Sequence, residues 1–327
     1  MGLIAKFGIT GDPHLDSKDY GGHTAYSEES LEYFKNITKI IEEQGITHYI
    51  DTGDFANRRF TNFEYSLAIE KELDKQNRLT DGNRYSIKGN HDEATSGMTQ
   101  YEYFIERGLL KPARNFVFDN TTITMLPYRK TKPYTKDEMV IINDGLHKNI
   151  VIAHQYFKFE NTKLPKFGEA IILDNYEQFY GTDYLVCGHI HHILGFEGFI
   201  GNELGQTHNC IVHYLGCMMR PAYREDHMDD KGQMAIISIY DDKPCTYDIL
   251  EIPLWSLEKS FNLEKIVEKK EKEQAKKERI DISDVVAELS SYDSSNIGSP
   301  EDIITSKENI DEKYKQAALA YLRKAME

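Results

Sequence analysis

Three strand-like runs near the N-terminus each break into a short polar turn containing glycine. Residues 3–10 end in Gly11-Asp12-Pro13-His14, 46–51 in Thr52-Gly53-Asp54, and 84–88 in Gly89-Asn90-His91-Asp92. Between them lie stretches with helical periodicity. One spans 27–44, with Leu31, Phe34, Ile37, Ile40 and Ile41 on one face, a capping Ser27 at its start and Gly45 at its end. The other spans about 62–76. A series of strand–loop–helix units restricts the chain to an α/β architecture. In such sheets ligands sit at the C-terminal edge of the strands, where these polar turns fall. The units share no repeated sequence, so the regularity is architectural.

The rest of the chain is richer in strands. A short helix at 99–107 precedes a hairpin at 115–119 and 121–126. A strand at 148–153 ends at His154, and an apolar run at 183–187 leads into Gly188-His189-Ile190-His191. Along an extended chain, residues two apart point the same way, so an extended segment here would present both imidazoles together. The same reasoning applies to Asp12 and His14. Further strands are expected at 210–215, 233–240 and 245–252. The expected fold is α/β with a two-sheet core flanked by helices. Beyond Trp255 the composition shifts to Glu and Lys, giving a solvated helix at 264–279 laced with i,i+4 pairs. A short amphipathic segment (Ile282, Val285, Val286, Leu289), a polar linker at 290–299 and a last helix through Ile310, Tyr314 and Leu322 follow.

Composition narrows the classes. No apolar run approaches the length of a membrane span and no signal peptide precedes the first strand, so a cytoplasmic protein is expected. The four cysteines form no C-x-x-C pair and read as buried thiols rather than disulfides or zinc ligands. A net charge of −15 excludes a general nucleic-acid coat. Contact with phosphates must then be local, metal-mediated or shared with a partner.

The polar residues at the strand ends are Asp12, His14, Asp54, Asn90, His91, His154, His189 and His191. Each alone has an ordinary explanation: Asp12 as a turn former, Asn90 as a left-handed residue, His154 as a core histidine. Together they are carboxylates, imidazoles and an amide without a thiolate, a set suited to Mn(II), Fe(II), Zn(II) or Mg(II). They exceed the needs of one tetrahedral ion and would serve two ions about 3.5–4 Å apart, sharing a carboxylate. Such a pair neutralises the oxygens of a phosphoester and lowers the pKa of the attacking water. The departing alkoxide still needs a proton, which a histidine outside the metal shell can supply.

Asp12-Pro13-His14, Gly53-Asp54, Gly89-Asn90-His91-Asp92, His154 and Gly188-His189-Ile190-His191 resemble, in order and spacing, the five signature blocks of calcineurin-like metallophosphoesterases. The resemblance covers about two-thirds of the chain. It implies that family's four-layer fold, with Asp12, His14, Asp54 and His191 on one ion and Asp54, Asn90, His154 and His189 on the other. His91 would stand beside the scissile phosphate, with Asp92 orienting it. It further implies a catalytic domain at 1–230, strands at 231–256 that complete or cap the core, and a partner-binding helical tail at 257–327. Gly53-Asp54-Phe55-Ala56-Asn57-Arg58 lacks the Asp-Arg-Gly continuation of protein serine/threonine phosphatases.

The chain is more similar to the SbcD group of DNA repair nuclease subunits, through His14-Leu15, Gly-Asn-His-Asp and Tyr214-Leu215-Gly216-Cys217. That similarity implies Mn(II)-dependent cleavage of DNA, a homodimer, and an SbcC-like coiled-coil ATPase bound through the tail. Two departures stand out: Cys217 replaces a usual serine, and Asn57 replaces a histidine that several relatives use. The rival readings are a small-molecule phosphodiesterase or phosphatase, for instance one acting on cyclic nucleotides, and a non-catalytic scaffold of the same fold. Two segments could touch phosphate, the basic and aromatic stretch 128–136 and Arg58-Arg59. His192, His208 and His213 are expected not to be ligands.

Overall fold

The computed structural model describes residues 2–18, 23–93, 96–130, 134–163, 170–219, 231–268 and 270–274, together with 305, 315, 316, 319 and 320. Its elements run β1 (Leu3–Thr10), α1 (Tyr26–Glu43), β2 (His48–Asp51), α2 (Phe63–Leu79), β3 (Arg84–Ser86), α3 (Gln100–Glu106), β4 (Phe116–Val117) and β5 (Thr121–Leu126). After them come β6 (Lys148–Ala153), β7 (Phe157–Lys158), β8 (Ile171–Ile172), β9 (Tyr184–Cys187), β10 (Ile193–Gly201), β11 (Thr207–Leu215), β12 (Lys231–Tyr240), β13 (Thr246–Pro253) and α4 (Leu257–Ser260).

Two sheets carry the architecture, ordered β13-β12-β1-β2-β3 and β10-β11-β9-β6-β5-β4. Within them β1, β2 and β3 run parallel, as do β5, β6, β9 and β11. Alternation along the central strands sorts their side chains into separate cores. Ala5, Phe7 and Ile9 of β1, Ile50 of β2, Ile150 and Ile152 of β6 and Val186 of β9 meet between the sheets. Residues of opposite parity face outward: Tyr49 packs with Phe34, Ile37, Ile69 and Leu73 of α1 and α2. On the second sheet Val151, Leu185 and Cys187 pack with Leu173 and Phe179.

Those last two residues lie in 3-10 turns at Leu173–Asn175 and Glu177–Phe179, so among the described residues no α-helix covers the outer face of the second sheet. The expected two-sheet core flanked by helices is present, with α1 and α2 on the first sheet and only these short 3-10 turns on the second. Aromatic side chains (Tyr134, Tyr156, Phe157, Phe179) supply the apolar area that a helix stripe would otherwise provide.

β10 has no counterpart in the expected strands. It is an edge strand paired with β11, its sequence is broken by Gly195 and Gly198, and only Ile200 is fully buried, which leaves little periodic signal. The helix opened by Ser27 instead begins at Tyr26 after Ala25, which makes no side-chain cap. At its other end Gly45 takes φ +62° and stops the helix. β12 lies beside β1 within the first sheet, so residues 231–240 are integral to the sandwich.

The chain divides into two units, Met1–Phe261 and Asn262–Glu327. In the second, 263–268 and 270–274 are helical, started by Asn262 accepting from the Lys265 N–H at 3.0 Å, with Lys272 and Glu268 paired at 3.7 Å. The expected amphipathic segment and the linker lie outside the described residues, as does most of the last helix. No described helix is long and apolar enough to cross a membrane.

Candidate metal centre

The C-terminal ends of β1, β2, β3, β6 and β9 meet along one edge, and backbone bonds lock the loops that leave them. The His14 N–H donates to the Asp54 carbonyl at 2.9 Å, Leu15 N–H to Phe55 at 3.0 Å, and Gly188 N–H to Ala153 at 2.9 Å. Extended backbone does not do the gathering. β1 stops at Thr10 and β9 at Cys187, and His14, Asp54 and His189 adopt left-handed φ values of +45°, +51° and +76°. The expectation that alternation aims Asp12 with His14, and His189 with His191, is therefore corrected. The chain turns sharply after each strand, and three of the site residues themselves carry the turns. Left-handed φ is unfavourable for residues with a Cβ, so the surrounding loops must hold it.

Asp12 is fixed from two sides: Thr52 Oγ1 donates to Oδ1 at 2.9 Å and the His189 N–H to Oδ2 at 2.8 Å. Asp54 Oδ1 accepts the His91 N–H at 2.7 Å, leaving Oδ2 3.3 Å from His154 Nε2 and 3.6 Å from His14 Nε2. Asn90 Oδ1 lies 3.0 Å from His154 Nε2 and 2.8 Å from His189 Nδ1. His14 Nε2 and His191 Nε2 are 3.0 Å apart. Two glycines permit this crowding. A Cβ at Gly188 would overlap Asp12 and Thr52, and one at Gly89 would overlap Asp54.

Tautomers follow from the partners. The Thr52 carbonyl can only accept, so His154 Nδ1, 2.9 Å away, carries a proton and Nε2 is left to face Asp54 and Asn90. Asn57 donates through Nδ2 to the His14 carbonyl at 3.1 Å, which turns its Oδ1 to His14 Nδ1 at 2.7 Å. That nitrogen is then protonated and His14 Nε2 keeps its lone pair. Imidazole nitrogens and carboxylate oxygens crowded together in this way are the donors a divalent ion needs, so the residues fit the group. Donor atoms group as Asp12, His14, His191 and Cys217, as Asp12, Asp54 and His154, and as His14, Asp54 and His91, each set within 4.8 Å.

Charge is balanced inside the cluster. Burial works to raise Asp12 and Asp54, but the surrounding imidazoles, His154 foremost, together outweigh it and hold their carboxyls below the ordinary range. Burial works to lower His154, and the two carboxylates outweigh that in turn. His189 is pushed down to about 4 by burial and by His154.

Two expected roles change. Both oxygens of the buried Asp92 accept backbone N–H groups, Phe55 at 3.1 and 3.3 Å and Gly89 at 2.9 Å. Its carboxylate ties the loop of Asp54 to the loop of Asn90 instead of orienting the His91 ring. Cys217, read as a plain buried thiol, pairs by a backbone bridge with Asp12 and belongs to the first donor group. The missed signal was its place one residue past Gly216, where a strand next to β9 reaches the same edge.

Among the other candidates, Arg58 pairs with Asp16 at 2.7 Å, and Arg129 pairs with Glu138. The Tyr128 ring lies 5.5 Å from that of His189, while 131–133 of the basic stretch lie outside the described residues. His208 lies 3.6 Å from Asp183, and His213 is held by Gln233 and Tyr247.

Asn57→Ala should lower affinity for the ion at the His14 position by about 10- to 100-fold, because His14 loses the partner that sets its tautomer. Titration of Mn(II) followed by electron paramagnetic resonance reads this directly. Asn57→Asp, which keeps the acceptor, should recover most of the loss.

The Calcineurin-like phosphoesterase family matches the chain over residues 5–192. Among solved structures the chain is similar to a dimetal phosphatase from Danio rerio, with 10% identity, 78% of this chain and 100% of that chain covered, and a TM-score of 0.39. No curated protein matches.

Proposed function

Because this chain belongs to the calcineurin-like phosphoesterase family, we propose that it is a two-metal phosphodiesterase that cleaves DNA in the manner of SbcD-type nuclease subunits. The observation that carries the catalytic part is the position of His91. It is the exposed member of a donor set otherwise buried or half-buried, its ring 5.0 Å from that of His14. It opens onto a cleft of about 200 Å³ lined also by Asn57, Arg58, Arg59 and Gln100. In this reading Asp12, His14, Asp54 and His191 hold one ion, and Asp54, Asn90, His154 and His189 the other. Bound there, two ions would supply charge neutralisation at the phosphoryl oxygens and an acidified water.

The chain's own residues do the rest. Asp54 is pinned through Oδ1 by the His91 N–H, which holds its carboxylate in place. Thr52 and the His189 N–H fix Asp12, and Asn57 fixes His14. From the cleft wall His91 gives its proton to the departing 3′ or 5′ oxygen. Arg58 and Arg59 line the same cleft and offer positive charge to a neighbouring phosphate. Support for DNA over other esters comes from the sequence blocks shared with the SbcD group and from the charged tail, which suits an SbcC-like ATPase partner. Mn(II) follows from the same likeness, as does a homodimer.

The test is hydrolysis of linear duplex DNA against soluble cyclic nucleotides, in Mn(II), with and without the co-purified ATPase. DNA should be degraded, and faster with the partner. Intact DNA alongside rapid turnover of the cyclic nucleotide would move the protein to the small-molecule reading.

A further inference from the structure

We infer that Cys217 is a ligand of the ion held by Asp12, His14 and His191, and that this position is built for a thiophilic ion such as Zn(II) or Fe(II). The inference rests on the two-metal reading and adds to it a choice of ion. Cys217 follows β11, the strand between β9 and β10, and leaves it through Gly216 at φ +71°. It is then tied to the loop after β1 by the backbone: Asp12 N–H donates to the Gly216 carbonyl at 3.3 Å and Met218 N–H to the Asp12 carbonyl at 3.0 Å. These bonds place residue 217 directly beside Asp12, with its side chain buried.

The Sγ, an Asp12 oxygen and one nitrogen each of His14 and His191 all lie within 4.8 Å of one another. On a tetrahedral zinc ion a sulfur–nitrogen pair stands about 3.6 Å apart, so the group would close on an ion by drawing in by up to about 1 Å. The thiolate, two imidazoles and the Asp12 carboxylate would join the shared Asp54 oxygen in a five-donor set. A serine hydroxyl there would be a weak ligand and would favour none of the softer ions. On binding, the thiol gives up its proton to solvent and the sulfur lone pair goes to the metal. The second position keeps Asp54, Asn90, His154 and His189, all oxygen or nitrogen donors. The two places should therefore take different ions from a mixture.

The experiment loads the full-length metal-free chain with Co(II) and with Zn(II). Native protein should bind two equivalents of Co(II) and show a thiolate-to-cobalt charge-transfer band in the near ultraviolet beside the visible ligand-field bands. Cys217→Ser should lose the near-ultraviolet band and keep the visible ones. Its Zn(II) affinity should fall by about tenfold or more, with Mn(II) affinity changed by less than about threefold. Zinc X-ray absorption on the native chain needs no variant and should show a sulfur at about 2.3 Å.

Two equivalents of Co(II) bound with visible bands but no charge transfer, and no sulfur around zinc, would sink the cysteine assignment and leave the two-metal site standing. A charge-transfer band that survives in Cys217→Ser would also sink it. No cobalt bound at all would remove both claims.

Discussion

Replacing His91 by alanine should lower turnover of an alkyl phosphodiester by about 100- to 10,000-fold, the usual span for loss of a general acid. Binding of both ions should be unchanged, because the ring stands at the cleft while the other donors lie deeper. A second substrate separates proton donation from simple charge. A nitrophenyl diester has a leaving group stable as an anion, so it gains little from a proton. The variant should lose much less on that substrate than on DNA. Equal losses on the two would mean that His91 serves the phosphoryl oxygens and not the leaving group. Partial desolvation of the ring acts to lower the His91 pKa, so the acid form it would donate from thins out as pH rises.

The second large effect concerns stability. Beneath the metal edge, Arg84 of β3 and Asp51 of β2 form a wholly buried ion pair at 2.6 Å. Gln76 accepts from Arg84 Nε at 2.8 Å, Ser86 donates to Asp51, and the guanidinium lies 4.4 Å from the centre of the Tyr49 ring. Arg84→Ala should cost about 3–5 kcal/mol in urea unfolding, since it strands a carboxyl in the core.

The deficit should depend on pH. Burial already holds Asp51 above the ordinary carboxylate range even beside Arg84, and its removal raises Asp51 further. A carboxyl raised in the folded state binds its proton more tightly there than in the unfolded chain. The variant therefore keeps most stability near about pH 4 and loses it as pH rises through the raised value. A deficit equal at about pH 5 and pH 8 would show that the cost lies in lost packing and not in stranded charge. Asp51 and Arg84 sit at the roots of the loops carrying Asp54 and Asn90. The variant should thus also bind its ions more weakly.

Much of this was legible in the chain itself. Period-2 strands with two buried faces, such as Lys148–Ala153, and helices with one apolar stripe, such as α1, follow from residue pattern alone. So does the gathering of Asp12, Asp54, Asn90, His154 and the histidine pair at one edge, since parallel strands bring their C-terminal ends together. What stayed hidden depends on tertiary context. Left-handed φ at His14, Asp54 and His189 has no marker, because aspartate and histidine are ordinary residues in most turns. Asp92 looks like a partner for its neighbour His91, yet its oxygens serve the more distant Phe55 and Gly89 N–H groups. Cys217 lacks the local spacing that betrays a thiolate site, and only the pairing of β11 with β9 brings it near Asp12. β10 escaped because an edge strand with glycines buries too little to leave a rhythm.

The donors come from both leaves of the sandwich: Asp12, His14, Asp54 and Asn90 follow strands of one sheet, and His154, His189 and His191 follow strands of the other. Neither leaf owns a complete set, so ions held there would act as rivets across the seam. A ligand at a hundred times its dissociation constant contributes about 2.7 kcal/mol, and here that sum is drawn on only when the leaves part. A chelator should consequently loosen the whole sandwich from this rim inward, where amide exchange between the tips of β1 and β9 would register it first.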